Sequence, residues 1–88
     1  MSEKRRLAAA LRYSRETDGA PRVTAKGAGA AADKIIEIAR RAGVPVKEDR
    51  DLVEVLAAVE LDTEIPPELY RAVAEVLAYV YRMSGRAQ

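Results

Sequence analysis

The sequence predicts a small α/β domain, because a segment with strand-like alternation is interleaved with segments of helical periodicity. Residues 22–26 alternate apolar and polar side chains, as a half-buried strand does. Residues 28–42 and 67–83 instead repeat apolar side chains every three or four positions, as an amphipathic helix does. The chain has 88 residues, 49% of them hydrophobic and 33% charged, which is enough for one domain with a single core.

The composition excludes most kinds of catalytic chemistry. The chain contains no Cys and no His, so it has no disulfide, no thiolate nucleophile and no imidazole base or metal ligand. We therefore expect no cofactor. The apolar run at residues 7–11 is too short for a signal peptide or a membrane span, and the default expectation is a cytoplasmic protein that does not insert into a membrane.

The first third of the chain contains an ambiguous segment, a loop and a strand. Residues 4–13 combine strong helix formers with alternating apolar side chains, and their composition alone favours a helix. Residues 14–21 form a loop, given their Ser, Asp-Gly and Pro. In the strand that follows, Val23 and Ala25 are expected on one side and Thr24 and Lys26 on the other.

Helical spacing then predicts the first helix over residues 28–42, ended by Gly43 in a left-handed conformation. The next residues, VPVK at 44–47, are a short strand candidate. Asp49 or Asp51 caps a second helix, and Asp51 with Glu54 resembles a capping box. The buried stripe of this helix is expected to contain Leu52, Val55, Leu56 and Val59.

The last helix begins with Pro67, whose missing N–H would have no partner in a first turn. Its sequence is PELYRAVAEVLAYVYRM. The tyrosines at 70, 79 and 81 are interpreted as lying on different faces, with Tyr70 in the core. The predicted core stripe comprises Leu69, Tyr70, Val73, Val76, Leu77 and Val80.

Glycines in TAKGAGAAADKI, residues 24–35, raise the question of a phosphate-binding loop. Lys26 precedes Gly27 and Gly29, whereas a Walker loop places its lysine after the glycines, and the third glycine of the dinucleotide motif is absent. A tight strand-to-helix turn is favoured over a nucleotide site. The acidic residues at 48–51 and 60–64 are interpreted as caps and solvated loop side chains.

Charge is unevenly distributed along the chain. Residues 1–26 carry seven Lys or Arg and three Asp or Glu, whereas residues 47–68 carry two and eight. The basic first segment leaves open a small regulatory or nucleic-acid-associated domain as the alternative function. The excess is small for such a protein, and we expect no nucleic-acid partner.

Two long segments resemble one family: APRVTAKGAGAAADKIIEIARRAGVPV and IPPELYRAVAEVLAYVYRM. They are similar to the cytoplasmic C-terminal domain of the FlhB/YscU family of type III export switch proteins. The resemblance covers residues 7–83, with residues 1–6 as a flexible basic N-terminus and 84–88 as a flexible tail. It implies about four strands in a central sheet surrounded by helices, with residues 7–13 in the first strand and the glycine loop as a turn.

The sequence departs from this family at the site of self-cleavage. Family members carry Asn-Pro-Thr-His just before the first strand, and the Asn side-chain amide attacks its own carbonyl carbon. The corresponding residues here are Glu3, Lys4, Arg5 and Arg6. A carboxylate and three cations cannot repeat this chemistry, so the resemblance implies a protein that is not an enzyme. The membrane domain of the full-length proteins is also expected to be missing.

The resemblance implies a cytoplasmic component or accessory of the flagellar or type III export apparatus, located at the inner face of the membrane. Its expected partners are export-apparatus membrane proteins, namely the N-terminal part of FlhB and the export gate, and export substrates. The family's hydrophobic substrate patch corresponds to Ala20, Pro21, Ala74 and Leu77. For Leu77 and Ala74 the alternative interpretation is packing in the core.

Overall fold

The computed structural model describes residues 6–14, 16–17 and 19–84. Two strands are followed by helices, which agrees with the predicted α/β class. A one-turn 3₁₀ helix, Pro67–Leu69, leads directly into the last α-helix. The elements in chain order are β1 (Leu7–Arg12), β2 (Arg22–Ala28), α1 (Ala30–Arg41), α2 (Arg50–Leu56) and α3 (Tyr70–Ser84).

Within the described residues the sheet has two antiparallel strands. This corrects the expectation of a central sheet with about four strands. VPVK at 44–47 forms no strand, and Pro45 has no N–H to contribute to a ladder. Residues 62–65 lie along β2 without forming a regular strand: the Asp62 and Ile65 N–H groups donate to the carbonyls of Val23 and Pro21 at 2.8 and 2.9 Å. The positive φ of 64° at Asp62 interrupts regular extension there.

Residues 7–12 form strand β1, as the family resemblance implied and contrary to their helical composition. Ladder hydrogen bonds to β2 and burial of Ala8 outweigh a local helix propensity that amounts to a few tenths of a kcal/mol per residue. The predicted ends of the domain, 1–6 and 84–88, lie almost entirely outside the described residues. Arg6 is described, and its carbonyl accepts a hydrogen bond from the Gly29 N–H at 2.8 Å.

A β-bulge at Thr24 changes which side chains of β2 point to the core. Ala10 pairs with Ala25 and Leu11 pairs with Val23, which leaves Thr24 as the extra residue. Because paired residues project to the same face of a sheet, the bulge separates Val23 from Ala25. The expectation that these two share a side was therefore wrong.

Beyond the bulge, Lys26 pairs with Ala9 and lies on the same face as Val23. Its ammonium group donates at 2.9 Å to the carbonyl of Ala57, the C-cap of α2, and at 2.7 Å to that of Val59 in the turn that follows. A cation at this position satisfies carbonyls that the helix leaves without partners. Lys26 thus joins the sheet to α2.

The two faces of the sheet pack against different helices. Gly27 lies against Ala31 of α1, and Ala32 of the same helix is fully buried. The main core lies on the opposite face, where α2, α3 and the 62–65 segment meet β2. Its buried members are Val23, Leu52, Leu56, Ile65 and Val73, and it is extended by the partly buried Ala9, Leu11, Val59, Leu69, Val76 and Leu77.

Helix α1 ends as the sequence predicts. Gly43 has a φ of 78°. The Val44 N–H donates to the carbonyl of Ala39 at 2.8 Å, and the Gly43 N–H donates to that of Arg40 at 3.2 Å. These two hydrogen bonds form a Schellman motif, in which glycine adopts the left-handed conformation without the penalty of a Cβ.

Asp49, rather than Asp51, caps α2: its carboxylate accepts a hydrogen bond from the Leu52 N–H at 3.0 Å. Leu52 and Leu56 are buried as predicted, but Val55 is 47% exposed. In α3, Val73 is fully buried, whereas Tyr70 is 46% exposed and does not lie in the core. Val80 is partly buried and is not among the residues that pack against the core. The predicted stripes were therefore too wide, because partly exposed positions of a helix also carry large apolar side chains.

Gly27→Ala is expected to destabilise the domain. A Cβ at this position would lie 2.7 Å from the Ala31 Cβ and 3.1 Å from the Ala31 carbonyl carbon, inside a helix–sheet contact. We expect a loss of about 1–3 kcal/mol in the free energy of unfolding, measured by urea denaturation.

Gly19→Ala is the matched control, because its Cβ would meet only the flexible Glu64 carboxylate, at 3.2 Å. Its expected effect is within about 0.5 kcal/mol. Equal stability of the Gly27→Ala variant and the parent would contradict the described packing of α1 on the sheet.

Candidate functional site

An open groove of about 240 Å³ lies between α3 and the loop that precedes β2. One wall is formed by α3 and the other by the loop and the end of β1. The groove is lined by Tyr13, Gly19, Ala20, Pro21, Tyr70, Ala74 and Leu77. None of these side chains is charged at neutral pH, so the groove favours an apolar ligand group.

The loop wall is held in place by the segment at 62–65. The Pro21 carbonyl accepts a hydrogen bond from the Ile65 N–H, and Ala20 is only 2% exposed. The Arg22 guanidinium donates to the Asp62 carbonyl at 2.7 Å and lies 3.9 Å from the Glu64 carboxylate. The loop wall is therefore anchored to the 62–65 segment by backbone and side-chain contacts.

The helical wall consists of positions 70, 74 and 77, which are spaced four and three residues apart and share one face of α3. Ala74 is exposed. Leu77 is half-buried, packs against the core and also lines the groove. Both interpretations of Leu77, as a core residue and as a patch residue, thus describe part of its environment.

The structure brings the four sequence-predicted residues, Ala20, Pro21, Ala74 and Leu77, to a single groove. Their role in binding stays a prediction. Sequence reasoning missed Tyr13, Gly19 and Tyr70. Tyr70 precedes Ala74 by four residues and could have been found from helical spacing, whereas Tyr13 reaches the groove only through the fold.

Tyr81 lies on the same face of α3 as Tyr70, which corrects the interpretation that the tyrosines of this helix lie on different faces. Eleven residues correspond to three turns with a remainder of about 20°. Tyr81 is 82% exposed. Tyr79 lies on the opposite side, where the Lys47 ammonium is 5.6 Å from its ring centroid.

The glycine loop adopts a turn between β2 and α1. Gly29 has a φ of 60°, which favours glycine, and Gly27 leaves room for Ala31. Lys26 points to the end of α2 instead of the start of α1, so its ammonium group is not placed to hold a phosphate at that turn. Residues 6–14, 16–17 and 19–84 contain no cluster of acidic side chains able to hold a metal ion.

Residues 5–80 match the model of the FlhB HrpN YscU SpaS family, which covers most of the chain. The chain belongs to this family. Its members form part of bacterial flagellar and type III export systems.

Among curated relatives, the uncharacterized protein YlqH of Bacillus subtilis is 47% identical over 78 residues, which are 89% of this chain and 84% of YlqH. The flagellar biosynthetic protein FlhB of Aquifex aeolicus is 49% identical over 75 residues. That match spans 84% of this chain but only 21% of the FlhB.

The crystal structure of the cytoplasmic domain of FlhB from Shewanella putrefaciens has a TM-score of 0.84 and 37% identity to this chain. The match covers 89% of this chain and 66% of that domain. The FlhB-type fold is thus present. No α-helix in the part of the chain that the structure describes has the length and hydropathy needed to cross a bilayer.

Three of the residues at the position of the family's cleavage motif, Glu3, Lys4 and Arg5, lie outside the described residues. The fourth residue of that position, Arg6, forms an exposed ion pair with Asp33, with 3.2 Å between Nε and Oδ1.

The groove predicts stability effects of very different size for substitutions at two alanines that line it. Ala74→Glu is expected to change the free energy of unfolding by less than about 0.5 kcal/mol, because the side chain would extend into solvent. Ala20→Glu is expected to cost more than about 3 kcal/mol, because it would bury an unpaired carboxylate. Urea denaturation followed by circular dichroism measures both, and collapse of the Ala74→Glu variant would show that this residue is core.

Proposed function

We propose that this chain is a non-enzymatic component or accessory of a bacterial flagellar or type III export apparatus. It docks on the membrane-bound part of an FlhB-type switch protein, next to the export gate, and binds export substrates. The family membership supports the assignment to export. The proposed location is the cytoplasmic side of the membrane, peripheral to the apparatus.

The observation that carries the binding role is the groove between the 19–21 loop and α3. It contains all four residues that correspond to the family's substrate patch, Ala20, Pro21, Ala74 and Leu77. The groove is apolar, and its walls are held by backbone hydrogen bonds and by a helix. A small preformed apolar site on rigid elements suits recognition of a short peptide segment. The alternative of a nucleic-acid-associated domain gains no support from the relatives.

Complementation of truncated FlhB tests the docking role. The chain is expressed in cells whose FlhB ends after the Asn of its cleavage motif and therefore lacks its own copy of this domain. We expect export to recover and the chain to co-purify with the truncated FlhB. Failure of both would refute the proposal.

The Ala74→Glu variant separates substrate binding from docking in the same experiment. It places a carboxylate at the solvent-exposed edge of the groove, where we expect it to disturb apolar contacts without unfolding the domain. We expect it to co-purify with truncated FlhB as well as the parent does, but to support less export.

The absence of self-cleavage is a second proposal, and it rests on the sequence Glu3-Lys4-Arg5-Arg6 at the cleavage position. No residue there has a side-chain amide that could attack its own carbonyl carbon. We expect the purified protein to give one intact species in a mass spectrum after prolonged incubation at neutral pH. Two fragments separated at this position would contradict the proposal.

A further inference from the structure

The exposed apolar face of α3 continues beyond the groove. Tyr70, Ala74, Leu77 and Tyr81 follow one another at intervals of four, three and four residues, so they form one stripe along the helix. The stripe is about 16 Å long at 1.5 Å per residue. Tyr81 lies outside the groove lining and is the most exposed of the large apolar residues. A contact surface on α3 is therefore longer than the groove itself.

Two arginines flank this stripe on its solvent side. Arg71 and Arg82 are eleven residues apart and follow Tyr70 and Tyr81 directly, so each lies about 100° further round the helix than its tyrosine. Both are exposed, and neither makes a hydrogen bond or an ion pair with a residue that the structure describes. Glu75 lies between them at a still larger angle and is paired with neither. The solvent side of the stripe therefore carries two cations and one carboxylate, with a net positive charge, and the two arginines lie nearer to the stripe than Glu75 does.

We propose that the stripe and its two arginines bind an amphipathic helix of about three turns, with an apolar face and acidic residues along one flank. This inference rests on the proposed binding role of the groove and names the chemistry of its partner. One large apolar side chain of the partner occupies the groove between Ala74 and the 19–21 loop. A second side chain, about two turns away, packs against Tyr81.

A helical ligand fits this surface better than an extended one. The exposed face of α3 offers no free backbone N–H or C=O groups along the stripe, so a strand could not pair with it. Small Ala74 between larger neighbours allows another helix to approach closely and insert a side chain. The arginines lie along one edge of the stripe, where acidic residues on one flank of a parallel or antiparallel helix would meet them.

Two synthetic peptides test the proposal. Each is capped, about 16 residues long and helical, with leucines at intervals of four, three and four residues. One carries glutamates beside the leucines and the other carries lysines at the same positions. Titration by calorimetry and by backbone amide NMR is expected to give at least about tenfold tighter binding of the glutamate peptide. This preference should weaken at high salt, because exposed charges are screened.

Three variants make the test specific. Tyr81→Ser is expected to weaken binding of the glutamate peptide about tenfold. Met83 is also exposed and apolar but lies on another face of the same turn, so Met83→Ser should leave binding unchanged. The double variant Arg71→Glu/Arg82→Glu is expected to reverse the preference in favour of the lysine peptide. No binding of either peptide, or equal binding of both, would overturn the proposal, as would insensitivity to Tyr81→Ser.

The outcome separates this inference from the proposed function. If Ala74→Glu reduces export in the complementation experiment but Tyr81→Ser and the double arginine variant do not change peptide binding, the groove acts in export without the extended surface. If the chain neither restores export nor co-purifies with truncated FlhB, while the glutamate peptide still binds with the expected specificity, the export assignment fails and the surface stands.

Discussion

The β-bulge at Thr24 determines how the rest of the domain is assembled. It places Val23 and Lys26 on the same face of β2, although their positions are three apart and a regular strand would put them on opposite faces. Val23 becomes fully buried in the main core, and Lys26 reaches the terminal carbonyls of α2. Gly27 is left on the opposite face, where it packs on α1. A regular strand would direct Lys26 away from α2 and leave the end of that helix without its cation.

The candidate groove depends on the same strand. The carbonyls of Val23 in β2 and Pro21 in the preceding loop accept hydrogen bonds from the N–H groups of Asp62 and Ile65. These bonds hold the loop against the segment before α3. Ile65 is itself almost completely buried in the core. The groove therefore lies where a loop fixed by backbone hydrogen bonds meets a helix fixed by Val73. A groove with fixed walls would need little reorganisation to accept the proposed ligand, which would lower the entropic cost of binding.

The side chains of the candidate site and of the acidic and glycine-rich segments each have a defined structural environment. The groove is apolar, the acidic residues of α2 serve as a cap or face solvent, and the lysine beside the glycine turn stabilises a helix end. Membership of the FlhB HrpN YscU SpaS family relates the domain that carries this groove to bacterial protein export. Its affinity would come from desolvating a few apolar side chains, and its selectivity from charges at the rim such as Arg71 and Arg82.

The sequence by itself determined the α/β class, the C-terminal end of α1, the start of the last helical segment at Pro67 and, through the family resemblance, strand β1 and four residues of the groove. The helix end at Gly43 and the helix start at Pro67 could be predicted because the backbone conformation of glycine and proline depends on local sterics.

Only the tertiary structure decided the number of strands, the bulge at Thr24 and the exposure of Tyr70 and Val55. The bulge has no local signature, since it arises from pairing with β1 and from the packing of three helices. Exposure at the edge of a helical stripe likewise depends on how far the neighbouring segments extend, and that is set by contacts between residues distant in the chain.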